Sequence, residues 1–144
     1  MSVTFHPREG FAVVEFQTKR LQDEFELAPD GSEIRPLIEL GGGSFVHCTL
    51  QLQHTSFAVS HRSVDEIWYF IGGEGEVWRR QGGREEVVEV GAGVCLTIPQ
   101  GTHFQFRNTG GEPLRFLIVT MPPWPGDHEA VGVVGRWKPS SGHR

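Results

Sequence analysis

The sequence predicts an all-β single domain, built as an antiparallel sandwich or barrel. Three observations predict it. Short stretches of alternating apolar and polar residues recur at spacings near ten residues, and Gly-rich turns separate them. Glycine (19) and proline (9) are also too frequent among 144 residues for a helix bundle, because both interrupt helices. Hydrophobic residues make up 38% of the chain and include ten phenylalanines, enough to build one core.

Taken in order, Phe11 to Phe16 and Ile34 to Leu40 read as short strands on either side of an acidic stretch that holds Asp23, Glu24, Glu26 and Asp30. Gly41-Gly42-Gly43 marks a turn. From Phe45 to Gln53 the alternation is clear, with Val46, Cys48, Leu50 and Leu52 on one face and His47, Thr49, Gln51 and Gln53 on the other. Further strands are predicted at 57–61, 67–71, 76–80, 85–90, 94–98, 104–107 and 114–120. The joints carry turn chemistry: Gly72-Gly73-Glu74-Gly75, Gln81-Gly82-Gly83, Gly91-Ala92-Gly93 and Thr109-Gly110-Gly111-Glu112-Pro113. No segment has a helical period. Pro122-Pro123-Trp124-Pro125-Gly126 stops the last strand, so residues 122–144 are expected to form an arm laid over the barrel or a neighbouring subunit. Residues 1–44 supply N-terminal strands, and residues 45–121 the barrel core.

The formal net charge is −5, with no basic run, which argues against nucleic acid as a partner. Cys48 and Cys95 sit far apart in alternating stretches and are expected to be two buried thiols, neither a disulfide framework nor a C-x-x-C site. Arg8, Glu9 and Glu15 interrupt the apolar stretch a signal peptide would need, and no apolar run approaches the roughly 20 residues that span a bilayer. The expectation is a soluble cytoplasmic protein. The Gly41 turn lacks the strand-loop-helix context of a dinucleotide site or a P-loop.

Two segments carry the chemistry. The first runs from Val59-Ser60-His61 through Glu66 to Gly73; the second holds Gly93, Pro99, Gly101, Phe104 and Asn108. Together they resemble the paired motifs of the cupin superfamily. Its first motif runs Gly, five residues, His-x-His, three or four residues, Glu, six residues, Gly. Its second runs Gly, five residues, Pro-x-Gly, two residues, His, three residues, Asn. His61, Glu66 and Gly73 match the first motif, and Gly93, Pro99, Gly101 and Asn108 the second. The resemblance implies a cupin-type double-stranded β-helix (jelly-roll) barrel. Small cupins of this kind are commonly homodimers, so it also implies strands around Phe11–Phe16 and Ile34–Leu40 exchanged or packed across an interface.

In cupins with the full pattern, three histidines and the glutamate hold one divalent metal, a donor set that suits iron, nickel, manganese or zinc. Here Val59 and Phe104 stand at two of the histidine positions, and Gln53 at the leading glycine. His61 and Glu66 are therefore the surviving ligands. His103 would be a third ligand if a bulge after Gly101 turned it inward, since a strand's period of two otherwise points it away from Phe104. His47 is a weaker donor candidate on a polar face expected to be solvated. His54 and His6 have no evident partner.

Two functional readings stand open. In one, the barrel binds a small organic or carbohydrate-like molecule, as a metal-dependent oxygenase, isomerase or lyase, or with Glu66 or His61 as general base in a dry pocket. In the other, it is a metal-free, non-catalytic module for ligand binding or assembly. Phe57, Val59, Trp68, Phe70, Phe104 and Phe106 are the expected walls of the pocket. The same residues could simply be a full aromatic core, with His61 and Glu66 paired inside it. Trp78-Arg79-Arg80 reads as cross-strand pairing with Arg84-Glu85-Glu86. Trp124 and Trp137 are placed to cover a barrel mouth or a subunit seam.

Overall fold

The computed structural model describes residues 14–140. Eleven strands and one 3-10 turn are formed: β1 (Glu26–Leu27), β2 (Glu33–Leu40), β3 (Gly43–Leu50), β4 (Val59–His61), β5 (Asp65–Gly72), β6 (Glu74–Gln81), β7 (Arg84–Gly91), β8 (Cys95–Ile98), β9 (His103–Asn108), β10 (Leu114–Met121), the turn η1 (Asp127–Glu129) and β11 (Ala130–Gly132). They make two antiparallel sheets, ordered β1-β2-β3-β10-β5-β8 and β11-β4-β9-β6-β7. Two facing antiparallel sheets with strands shuffled in this way form a jelly-roll barrel, as predicted.

The local chemistry explains the path. Gly82 and Gly83 close a two-residue hairpin between the paired Gln81 and Arg84, with Gly82 at φ 59°, the left-handed geometry such turns need. Gly73, at φ 79°, lies where the chain leaves the first sheet for the second, and a Cβ there would collide with the Pro113 carbonyl. Asn108 fixes the β9–β10 loop. Its amide donates to the Leu50 and Glu112 carbonyls at 3.1 and 2.9 Å, and its Oδ1 accepts from Gly110 N–H at 2.9 Å.

Inward-facing residues of both sheets build the core. Trp68 is its centre, with ring centroids 5.3 Å from Phe104, 5.3 Å from Phe106 and 4.7 Å from Phe116. Phe70 stacks on Phe116 at 4.6 Å. Each of these buried rings contributes roughly 1.5–3 kcal/mol by leaving water. On the second sheet, Arg79 pairs with Glu86 at 2.7 Å and Trp78 Nε1 donates to Glu85, so the basic strand end is matched across the hairpin as expected.

Several expectations are corrected. Residues 14–16 are not in a strand, and the remainder of the 11–16 segment lies outside the described residues, as does His6. The acidic stretch instead supplies β1, which pairs with β2. Cys95 is exposed, because the outward positions of β8 carry it; Cys48 is buried. His47 is not solvated: it lies on the outer face of β3, opposite Arg35 and Leu117, and is buried. Burial, helped by the Arg35 and Arg115 charges, holds its imidazole below the ordinary value.

The C-terminal arm adds a strand to the second sheet. β11 pairs with β4, setting Ala130 against His61 and Gly132 against Val59. Glu129 accepts from Ser63 Oγ at 2.7 Å and from the Ser63 and Val64 amides, gripping the β4–β5 turn. Farther on, the fully buried Gln105 amide bridges the arm, donating to the Ser56 and Trp137 carbonyls at 2.8 Å and accepting from Trp137 N–H. The Arg107 guanidinium sits 4.3 Å over the Trp137 ring. Among the described residues no helix is long and apolar enough to cross a membrane.

Candidate functional site

A cavity of about 420 Å³ opens at one end of the barrel, within the range of about 300–1,000 Å³ that small-molecule sites occupy. Its inner wall is Val59, Trp68, Phe104 and Ile118; Trp124 from the arm and Ile34 from β2 flank the opening. Three strands set its polar floor. β4 carries His61, β5 carries Glu66, and β10 carries Thr120 directly across from Glu66.

The Glu66 carboxylate is held from both sides. Trp68, two residues on and therefore on the same face, donates Nε1–H to Oε1 at 2.9 Å. Thr120 Oγ1–H donates to Oε2 at 2.7 Å. Burial pushes the carboxyl up to about 6, against the opposing pull of these two hydrogen bonds. Asp30, half-buried in the loop between β1 and β2, also lines the cavity. Burial raises its pKa, while hydrogen bonds from the Ser32 hydroxyl (2.6 Å) and amide (3.0 Å) work the other way.

His61 is buried beside this carboxylate but not bonded to it. Its Nδ1 lies 3.9 Å from Glu66 Oε1, beyond hydrogen-bond reach, and is buried with no partner. Burial holds the imidazole below its ordinary value, although the Asp30 and Glu129 charges pull it up, so the ring is neutral near pH 7. The Phe104 and Trp124 rings pack edge-on against it, with centroids 5.0 and 5.2 Å away.

Of the residues expected from sequence, His61, Glu66, Val59, Trp68 and Phe104 line one cavity. Phe70 and Phe106 lie deeper, fully buried in the core, and are not part of its wall. Phe57 is half-buried ahead of β4, beside Gly31, and does not line it either. His103 does not join His61 and Glu66. It pairs with Ser60 and Arg80 in regular register, and no bulge turns it, so it shares the outer face of β9 with Gln105 and Arg107. Sequence reasoning missed Asp30, Thr120 and the wall role of Ile34. Thr120 left a signal, being the one polar residue on the inward face Leu114, Phe116, Ile118, Thr120. Asp30-Gly31 reads only as a turn.

The residues present do not fit the divalent metal that the motif implies. Val59 and Phe104 offer no donor, both Glu66 oxygens already accept protein hydrogen bonds, and the Phe104 ring packs against His61. Among the described residues no group of three or more His, Cys, Asp or Glu is gathered to hold a metal ion.

The comparisons agree with this architecture. No curated protein matches the chain. Among solved structures, a Bacillus halodurans protein, BH2720, is 25% identical, with a TM-score of 0.59 over 65% of this chain and 72% of its own. An oxalate decarboxylase variant from Bacillus subtilis is 17% identical, with a TM-score of 0.63 over 75% of this chain; the match spans only 30% of the decarboxylase. The Drosophila melanogaster CENP-C cupin domain is 13% identical, with a TM-score of 0.57 over 63% of this chain and 70% of its own. The latter two identities carry the fold alone. The cupin domain family model matches residues 46–120, more than half of the chain and the whole stretch between the two motifs. With His61, Glu66, Gly73, Pro99, Gly101 and Asn108 in register inside that match, the chain belongs to the cupin domain family.

Proposed function

We propose that the protein is a small-molecule-binding cupin that works without a bound metal, its ligand seated in the cavity above Glu66 and His61. One observation carries this reading: a cavity of about 420 Å³ with apolar walls ends on a buried imidazole nitrogen that no protein group satisfies. Buried polar atoms are normally paired, so an orphan at the floor of a cavity is a place for a ligand's hydrogen bond. The apolar walls supply affinity by burial, and Glu66, His61 and Thr120 supply orientation. The metal-dependent enzyme reading has only two of four donors to rest on, so it is not the one favoured.

The test is a fragment screen followed by the indole N–H signals of Trp68 and Trp124 in NMR spectra. Binders that shift both signals and are lost in Ile34→Trp, which narrows the opening, support the reading. A screen without such binders overturns it. Elemental analysis of tag-free protein checks the second half: near one equivalent of iron, nickel, manganese or zinc, lost in His61→Ala, would return the protein to the metal enzymes.

A further inference from the structure

The cavity's charge is one-sided. Five carboxylates line it, Glu66 and Asp30 low in the wall and Glu26, Glu39 and Asp127 at exposed positions around the rim. Against them stand Lys19, the one lysine or arginine among its described lining residues, and His61, which burial keeps neutral. Ion pairing does not account for this surplus. Among the described residues none of Glu26, Glu39 or Asp127 forms an ion pair, and Arg35, Arg79, Arg84, Arg107 and Arg115 pair with other carboxylates. A concave surface lined by one sign of charge over apolar walls concentrates ions of the opposite sign.

The floor independently leaves one buried nitrogen without a partner. With its proton on Nε2, the neutral His61 ring presents Nδ1 as an acceptor, buried and unpartnered, 3.9 Å from the Glu66 Oε1 that faces it. A group carrying at least two N–H hydrogens, placed between them, would satisfy Nδ1 and give Oε1, which already accepts from Trp68, a second donor. The walls add the aromatic rings of Trp68, Phe104 and Trp124, apolar surface against which the body of an organic ion can pack. An anionic ligand would meet five carboxylates and one lysine. A bare metal ion would find no set of three ligating side chains among the described residues.

We propose that this cavity takes a small organic cation: a protonated amine on an apolar body, its ammonium between His61 and Glu66 and its body against Trp124 and Phe104. The inference rests on the reading of the cavity as a ligand site and names the chemical class that site selects. It also explains why a carboxylate is kept at the floor. A buried charge without a cationic partner is costly, and the ligand supplies that partner.

Three probes of one shape decide it by calorimetric titration at pH 7.5: phenethylammonium, 2-phenylethanol and 3-phenylpropionate. The expected order is ammonium tightest, by about tenfold over the alcohol, with the carboxylate weakest. Glu66→Gln should weaken phenethylammonium by about tenfold and leave the alcohol nearly unchanged. The rim double variant Glu39→Gln with Asp127→Asn, at exposed positions that do not threaten folding, should weaken the cation by about threefold, an effect that added salt erases. An alcohol or carboxylate that binds as tightly as the ammonium overturns the cation inference and leaves the ligand-binding reading standing. If none of the three binds, both fail. If zinc or calcium alone occupies the site and displaces the amine, the acidic lining serves a metal ion and the proposal is wrong.

Discussion

Val59 and Phe104 stand directly opposite one another, paired across β4 and β9. These are the two positions where the family's metal-binding pattern has histidines, so hydrocarbon stands in place of a donor on both sides of the same point. The pair is buried, Val59 at 2% and Phe104 at 1% exposure, and Phe104 fills the space between His61 and Trp68.

That pairing gives the first prediction. Val59→His with Phe104→His restores two imidazoles facing His61 and Glu66. The double variant should bind zinc or nickel stoichiometrically, read by elemental analysis after dialysis, whereas the wild-type protein should not. A folded double variant that holds no metal would mean that the four side chains do not converge.

Glu66 makes stability depend on pH with a defined sign. Its carboxyl is raised from 4.5 to about 6 by burial, so folding favours its protonated form. Its contribution is therefore most favourable below about pH 4.5 and declines as pH rises through 6, by roughly 2 kcal/mol in all. Glu66→Gln keeps an acceptor for Trp68 and cannot ionise. Relative to wild type, the variant should gain about 2 kcal/mol between pH 4.5 and pH 7.5 in urea unfolding. A constant difference across that range would place Glu66 in water.

Glu129 acts in the opposite direction. Burial works to raise its carboxyl, but hydrogen bonds from Ser63 and Val64 outweigh it and hold the group below the ordinary value. Its stabilisation is present above the unfolded value and is lost as pH falls through the folded one. Glu129→Ala leaves the Ser63 and Val64 donors without their acceptor and should cost about 2–4 kcal/mol. Amide exchange at Ser63 and Val64 should speed up while the β6–β7 hairpin keeps its protection.

Gln53 takes the left-handed conformation, φ 62°, at the place where the family motif has its leading glycine. A side chain costs about 1–2 kcal/mol in that region, and a glycine's extra freedom in the unfolded chain offsets about half of it. Gln53→Gly should raise the unfolding free energy by about 0.5–1 kcal/mol. A lower value would show that the Gln53 side chain makes a compensating contact.

The fold was legible because its signals are local. Alternation placed most strands to within a residue or two, and Gly82-Gly83, Gly73 and Asn108 sit where the backbone turns. The site was legible only in part. His61, Glu66, Val59, Trp68 and Phe104 are fixed by strand register, which a spacing motif encodes. Phe70 and Phe106 share their inward alternation but lie farther from the open end, a depth that period two cannot report. His103 follows the same rule on the outward side. Asp30 and Trp124 enter the cavity from a turn and from an arm, where only the tertiary path decides the neighbours. Cys95 and His47 show the other limit: outward positions on one sheet end up exposed in the first and covered in the second.

Both flanks of the chain reach the cavity. Gln17 and Lys19 come from the segment before β1, and Trp124, Asp127 and Ala130 from the arm after β10. A ligand that touches all of them binds best when both flanks are docked, and linkage makes that relation reciprocal. Such a ligand would fasten the two flanking segments, and anything that peels either segment away would weaken it by the same factor. Under the proposed function, a molecule in the mouth of the barrel would be the clasp that joins these two segments.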